Sequence, residues 1–109
     1  MEDFLTQVRA GLLPFSDIIA YIESRYAVQP RGFQNGDQFN EPTQNQGSAK
    51  VLYFGKLNDL SQADTLLLFA EHYRAVLATP EGTDHQNIRQ FQQHGWEGVR
   101  FEGPVLTHA

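Results

Sequence analysis

The chain has 109 residues, 40% of them hydrophobic, and a formal net charge of −5 at pH 7. This length predicts one compact domain, and the eight Phe, four Tyr and one Trp can supply much of a single core. The negative charge argues against a nucleic acid partner, and the absence of cysteine excludes disulfides, thiolate nucleophiles and cysteine-ligated metal sites.

The sequence also argues against a membrane protein. The longest fully apolar run, residues 66–70, is far too short to span a bilayer. The N-terminus is acidic and lacks the apolar segment of a cleaved signal peptide. We therefore expect a protein that works in aqueous solution.

The start of the chain predicts two helices. Residues 2–12 place their apolar side chains on one helical face, and Gly11 and Pro14 are expected to end this helix. Ser16 is predicted to cap a second helix, in which apolar residues repeat at spacings of three and four.

A long polar segment follows at residues 27–47. Its Asn, Gln, Gly and Pro residues predict a loop, and a loop of this length is uncommon in a small domain unless it has a function or is disordered. Phe33 and Phe39 favour an ordered loop held by aromatic rings. The dipeptide Asn35-Gly36 predicts a tight turn within it.

Two further helices are predicted in the middle of the chain. Residues 48–59 fit either a buried strand or a helix capped by Ser48, and we favour the helix. Ser61, with Asp64 three residues later, is predicted to cap a helix over residues 61–78. Apolar residues cover most of the circumference of this helix, which is typical of a buried central helix.

The last predicted helix begins after Asp84, which is expected to cap it. It ends at His94, and Gly95 is predicted to take the left-handed conformation that follows many helices. Beyond residue 101, Gly103-Pro104 ends the regular structure, and the last five residues are predicted to fray.

Together these elements predict an α-rich α+β fold in one domain, residues 1–109. About five short helices form a compact bundle around the buried central helix at residues 61–78. A small antiparallel ribbon is expected to join residues 27–29 to the loose strand at residues 96–101.

Five short motifs, all between residues 33 and 96, belong to a recognisable pattern that extends over about residues 13–101. They are Phe33-x-Asn35-Gly36, Asn45-Gln46-Gly47-Ser48, Tyr73-Arg74, Asp84-His85-Gln86-Asn87-Ile88-Arg89-x-Phe91 and Gly95-Trp96. This pattern resembles the HopJ type III effector protein family, and its fourth and fifth motifs are the most specific.

The resemblance implies a bacterial protein, either resident in the cytoplasm or delivered into host cells by type III secretion. A housekeeping role is equally compatible, because the family extends to bacteria without an evident plant host. The resemblance implies no enzymatic activity, since the family has none agreed. Members commonly place Cys after the Gly-Ser pair, whereas this chain has Ala49, which removes any thiol role there.

The candidate ligand-binding surface is a polar groove between the 33–47 loop and the 84–96 helix. The loop supplies amide donors and acceptors but no nucleophile or strong base, which suits hydrogen-bonded recognition better than catalysis. The candidate ligand-binding residues are Asn35, Gly36, Asn45, His85, Asn87, Arg89 and Trp96.

Structural roles are open for the same residues. Trp96 fits a core residue that closes a helix end as well as a ligand platform. Arg89 fits an ion pair with Glu71 or Asp84 as well as a fork for an external carboxylate or phosphate.

Metal binding is a further alternative, with His72, His85 and His94 as candidate ligands and Glu71 beside them. His85 and His94 are nine residues apart and lie on opposite sides of an ideal helix, so one ion does not easily join them. No recognised metal-binding spacing is present, and we predict neither a metal nor a cofactor.

The leading hypothesis is therefore a small, non-catalytic binding or interaction protein whose partner is a small molecule or a protein. The alternative is a small enzyme, metal-dependent or otherwise, that uses His72, His85, His94 and Glu71. A third hypothesis is an effector that engages a host protein, although residues 1–12 are patterned as a helix instead of a loose secretion signal.

Overall fold

The computed structural model describes residues 1–108, which form short helices and strands around one core. The helices are α1 (Glu2–Arg9), α2 (Phe15–Arg25), α3 (Gln46–Leu57), α4 (Gln62–Leu67), α5 (Glu71–Ala78) and α6 (Gln86–His94), with a 3₁₀ turn at Gly95–Gly98. The strands are β1 (Tyr26–Val28), β2 (Phe33–Asn35), β3 (Gln38–Asn40), β4 (Val99–Phe101) and β5 (Leu106–His108). The predicted helix-rich α+β class is confirmed.

The core is centred on α3 and on four buried phenylalanine rings. Val51, Leu52 and Phe54 of α3 are fully buried, and Phe4 packs edge-on against Phe54 with ring centroids 6.0 Å apart. The largest buried rings belong to Phe33, Phe54, Phe69 and Phe91. The prediction that residues 48–59 form a helix and not a strand is confirmed for residues 48–57, which belong to α3. Because α3 carries several fully buried residues, it lies at the centre of the domain.

The predicted central helix at residues 61–78 is wrong as one continuous element. It is divided into α4 and α5, and Ala70 between them has φ 51° and ψ −123°. Apolar residues on every side of a helix are buried only if the helix is surrounded. The break turns the chain so that Leu68 and Phe69 both enter the core, while Leu77 on α5 stays 55% exposed.

Three of the predicted helix caps are also wrong, although the helices they mark are present. Helix α2 begins at Phe15, with Pro14 in the N-cap position instead of Ser16. Helix α3 begins after Asn45 instead of Ser48, and α6 begins after His85 instead of Asp84. In each case the observed N-cap lies one to three residues from the predicted Ser or Asp. Because Ser and Asp can bond to the start of a helix from several nearby positions, the sequence alone did not locate the first residue of the helix.

Two other predicted helix boundaries are confirmed, and the predicted end of α1 is wrong. The Ser61 hydroxyl accepts a hydrogen bond from the Asp64 backbone N–H at 3.0 Å, which caps α4. Helix α6 ends at His94 as predicted. Gly95 has a positive φ of 63°, but its ψ of −155° differs from the predicted left-handed helical conformation. Helix α1 ends at Arg9, three residues before its predicted end.

The long loop contains a hairpin that the composition did not predict. Strands β2 and β3 pair antiparallel around a turn at Gly36-Asp37, in which Gly36 has φ 57°. Phe33 is fully buried as expected, but Phe39 is 45% exposed and does not hold the loop to the core. An antiparallel strand alternates its faces, so these two rings cannot both be buried by the same side of the hairpin.

The predicted ribbon is wrong in its pairing. Residues 27–28 and 99–101 are in strands, but β4 pairs with β2 to give a three-stranded sheet, whereas β1 pairs with β5. The predicted fraying is also wrong for residues 105–108, since β5 is paired and Val105 is fully buried. Residue 109 lies outside the described residues. Within residues 1–108, no helix is both long enough and apolar enough to cross a membrane.

Candidate functional site

A cluster of buried asparagines joins the hairpin to the start of α6. The Asn87 side-chain oxygen accepts hydrogen bonds from Asn35 Nδ2 at 2.9 Å and Asn40 Nδ2 at 3.2 Å, and Asn87 Nδ2 donates to Asn40 Oδ1 at 3.0 Å. Asn45 Nδ2 donates to the same Asn40 oxygen at 2.8 Å. These amides therefore fix β2, β3, α3 and α6 relative to one another.

Arg89 is occupied by contacts within the chain. Its Nε donates to the Asp84 carbonyl at 2.6 Å, and its two terminal nitrogens donate to Thr79, Pro80 and the Asp84 carboxylate. The Arg89 hydrogen bond lowers the pKa of Asp84 from its ordinary value. Because only 12% of the Arg89 side chain is exposed, this residue holds the 79–84 turn against α6.

Trp96 and Gly36 also have contacts that explain their positions. The Trp96 indole N–H donates to the Leu60 carbonyl at 3.0 Å, and its ring packs edge-on against Phe91 at 4.9 Å. At Gly36, a Cβ atom would contact Gln90 and the His94 ring, which explains the glycine in this turn.

A cavity of about 450 Å³ lies where the hairpin, α5 and the starts of α3 and α6 meet, and we call it the α3/α6 cavity. Its lining residues are Phe15, Gln38, Asn45, Gly47, Ser48, Phe69, His72, His85, Gln86, Asn87 and Ile88. Three of the seven candidate binding residues, Asn45, His85 and Asn87, line it. The other four, Asn35, Gly36, Arg89 and Trp96, are not among the lining residues.

Sequence reasoning did not select most of this lining. In the sequence, Phe15, Phe69 and Ile88 have the pattern of ordinary core residues, and Ser48 is predicted only as a helix cap. Gly47 and Ser48 belong to one of the motifs quoted above, and that was the available signal for them. His72 was considered only as a metal ligand.

The backbone around the cavity is unusually strained. Four non-glycine residues among the described ones have positive φ, and two of these, Asn45 and His85, line the cavity. A third, Ala70, follows the lining residue Phe69 directly. Left-handed backbone at a non-glycine residue costs free energy and tends to cluster at functional sites. The left-handed residues at this cavity lower the free energy of unfolding, and their presence there is consistent with a functional site.

Two helices begin at the cavity without a side-chain cap. Asn45 precedes α3 and His85 precedes α6, and neither side chain accepts a hydrogen bond from the first turn of its helix. The first backbone N–H groups of a helix have no partner inside the helix, and they carry the positive end of its dipole. The cavity thus has two positive helix ends on its border.

Two histidine rings lie together in the cavity. The ring centroids of His72 and His85 are 5.1 Å apart, and Phe15 packs edge-on against His72 at 4.8 Å. Within residues 1–108, no hydrogen bond to either imidazole is present, and the nearest carboxylate oxygen to His85 Nε2 is Asp84 Oδ2 at 3.9 Å. Both rings are therefore available to a ligand.

The residues proposed for a metal enzyme are not all brought together. His94 lies at the opposite end of α6 from His85, beside the hairpin turn and 3.7 Å from Asp37 Oδ2. Glu71 accepts a hydrogen bond from the Phe15 N–H at 2.7 Å. Burial raises the pKa of Glu71, but hydrogen bonds from backbone N–H groups outweigh it and lower the pKa overall. In the described part of the chain, no group of three His, Asp or Glu residues is arranged to hold a metal ion.

Comparison with known proteins gives one family and one solved structure. The model of the family described as HopJ type III effector protein matches residues 1–106. The crystal structure of unknown function protein VPA0580 is similar over 100% of this chain and 93% of the other, with a TM-score of 0.93 and 40% sequence identity. No curated protein matches this chain.

Proposed function

This chain belongs to the HopJ type III effector protein family, and from that premise we propose that it is a small binding protein whose ligand occupies the α3/α6 cavity. The observation that carries the proposal is the cavity itself. Its volume of about 450 Å³ is in the range of small-molecule sites. Such sites combine apolar walls with a few placed polar groups, and this lining has both.

The chemistry of the lining supports binding. Amide side chains, two imidazoles and the Ser48 hydroxyl supply hydrogen-bond donors and acceptors around the apolar side chains of Phe15, Phe69 and Ile88. The asparagine cluster below the cavity fixes three of its walls, so little ordering is needed when a ligand enters. A rigid site of this kind suits selective recognition.

The proposal is tested by screening a library of small metabolites against the full chain. Thermal melting identifies compounds that stabilise the fold, because a ligand at a hundred times its Kd adds about 2.7 kcal/mol. Backbone amide NMR signals then locate each compound. We expect a stabilising compound to shift the signals of Ser48, His72 and Gln86 and to leave those of Gln7 and Thr107 in place. If every stabilising compound maps elsewhere, or no compound stabilises, the proposal is wrong.

Family membership also supports a second proposal, that the protein is a substrate of type III secretion. The observation relevant to it is the packing of α1. Phe4 is 7% exposed and stacks on Tyr21 at 3.7 Å, and Arg9 pairs with Asp64 at 2.8 Å. Helix α1 takes part in no strand pair, so its detachment would leave the sheets intact. Detachment would expose Phe4, Leu5 and Val8, so export of this segment requires that its packing against the core is first unfolded.

A reporter enzyme fused after residues 1–12 tests this second proposal. Export is measured from cells with a working type III system and from matched cells that lack its ATPase. Export that needs the working system supports it, whereas no export from a fusion of residues 1–12 or of the full chain contradicts it.

A further inference from the structure

We infer that the α3/α6 cavity recognises an oxyanion, carboxylate or phosphate, on a small ligand with an apolar body, and that His72 and His85 hold this oxyanion. The inference rests on the proposed function, because it concerns the ligand of the same cavity. It deepens that function by naming the chemical class of the ligand.

The charges around the cavity carry the first step. The chain has thirteen Asp and Glu residues and a net charge of −5, yet none of the lining residues is Asp or Glu. A carboxylate in a small cavity would repel an anion strongly, since the local dielectric constant is low. Two carboxylates border the lining, and each is already bonded within the chain. Asp84 Oδ2 is 3.9 Å from His85 Nε2, but Asp84 Oδ1 is paired with Arg89 at 2.7 Å. Glu71 accepts a hydrogen bond from the Phe15 N–H at 2.7 Å.

The two histidines carry the second step. Their rings are 5.1 Å apart at the centroids and tilted by 38°, so both can approach one group between or above them. Neither ring has a hydrogen-bond partner within residues 1–108, and an imidazole always has at least one N–H to donate. The N–H groups of His72 and His85 can therefore both donate hydrogen bonds to a ligand group that has several acceptor oxygens.

The helix starts add to the same preference. Gly47 and Ser48 are in the first turn of α3, and Gln86 and Asn87 are in the first turn of α6. The dipoles of α3 and α6 favour a negative charge at the N-terminus of each helix. This contribution supports the histidines and does not replace them.

The apolar part of the lining defines the rest of the ligand. The rings of Phe15 and Phe69 are nearly parallel, with an interplanar angle of 7° and centroids 6.2 Å apart, and Ile88 lies on the same cavity. These side chains match a hydrocarbon or aromatic body. The ligand class is therefore a small organic acid or a monophosphate ester, not a free inorganic ion.

Four probes separate the parts of this inference. Benzoate and phenyl phosphate carry an oxyanion on an aromatic ring, benzamide is the neutral isostere of benzoate, and inorganic phosphate lacks the ring. Each is titrated into the full chain at constant pH and ionic strength, and backbone amide shifts give its Kd and location. We expect benzoate or phenyl phosphate to bind at the cavity about tenfold more tightly than benzamide, the equivalent of one charge-assisted hydrogen bond.

Two variants are designed to remove the imidazoles and keep the local packing and backbone. His72→Phe keeps a ring against Phe15, and His85→Gly relieves the left-handed backbone at φ 51°. Each is expected to weaken binding of the better probe about tenfold. His108→Ala is the matched control, because His108 is an exposed residue of β5 that does not line the cavity, and this variant should bind like the parent chain. If His85→Gly does not fold, His85→Asn tolerates the same backbone conformation and takes its place.

The outcomes distinguish this inference from the proposed function. Equal binding of benzamide and benzoate at the cavity overturns the oxyanion inference and leaves the binding function standing. The same holds if no probe binds there while a neutral compound from the metabolite library does. Unchanged affinity in both histidine variants also overturns it. If neither the probes nor the library reach the cavity, both proposals fail.

Discussion

Replacement of Asn87 by alanine tests whether the asparagine cluster holds the hairpin against α6. Asn87 is 5% exposed, and the change removes three hydrogen bonds, from Asn35, from Asn40 and to Asn40. At about 1 kcal/mol for each net hydrogen bond, the sum is about 3 kcal/mol.

Retained hydrogen bonds of the partner residues limit the loss. Asn35 Nδ2 still donates to the Asn87 backbone carbonyl at 2.8 Å, and Asn40 Oδ1 still accepts from Asn45 at 2.8 Å. Asn40 Nδ2 also keeps its hydrogen bond to the Phe33 carbonyl at 3.4 Å. Each polar atom that bonded to Asn87 therefore keeps one partner, and the full penalty for an unsatisfied buried group does not apply. We expect the free energy of unfolding to fall by about 2 to 3 kcal/mol, or a Tm lower by roughly 8 to 15 °C for a domain of this size.

Urea unfolding followed by far-UV circular dichroism measures this loss. Gln93→Ala is the matched control, because Gln93 is exposed on the same helix and makes no side-chain hydrogen bond within the described residues. A surface change of this kind stays within about 0.5 kcal/mol. If Asn87→Ala costs no more than Gln93→Ala, the cluster does not support the fold and our account of the cavity walls is wrong.

Three further predictions concern Arg89, Gly55 and Asp64. Arg89→Lys should lose about 1 to 3 kcal/mol in urea unfolding, because an ammonium cannot replace the planar fork, and a neutral result would contradict this role. Gly55→Ala should destabilise despite better helix propensity, since a Cβ would lie 2.7 Å from Thr65 Oγ1, and a raised Tm would refute the packing argument. The Arg9 hydrogen bond lowers the pKa of Asp64, although burial opposes it, so this contribution is present above the ordinary Asp pKa and lost as pH falls through the lowered value. Asp64→Asn should therefore lose less stability than the parent chain on acidification, and parallel curves would contradict it.

These predictions also separate the residues that looked functional in the sequence. Asn87 and Arg89 make several contacts within the chain, so their replacement should reduce stability. His85 has no hydrogen bond to its ring and borders the cavity, so its replacement should reduce binding and leave stability nearly unchanged. Sequence alone could not make this distinction, because all three belong to one short motif.

The sequence by itself determined the features that depend on neighbouring residues. The Ser61 cap, the end of α6 at Gly95 and the helical state of most of residues 48–57 follow from interactions within one or two turns. Isolation in a polar segment predicted burial for both Phe33 and Phe39, but only Phe33 is buried, because the two rings lie on opposite faces of the hairpin. The family motifs also lie in short stretches and could be recognised directly.

The tertiary structure decided everything that joins distant parts of the chain. Asn35 and Asn87 are 52 residues apart and become hydrogen-bond partners. Strand β4 pairs with β2, whereas the sequence predicted that it would pair with the segment of β1. The break at Ala70 has no local cause, since neither glycine nor proline is present there, and it serves to bury Leu68 and Phe69 together. The cavity exists because α3 and α6 begin at the same place. The position of one helix start beside the other depends on packing between elements that are distant in the sequence, so local sequence patterns do not predict it.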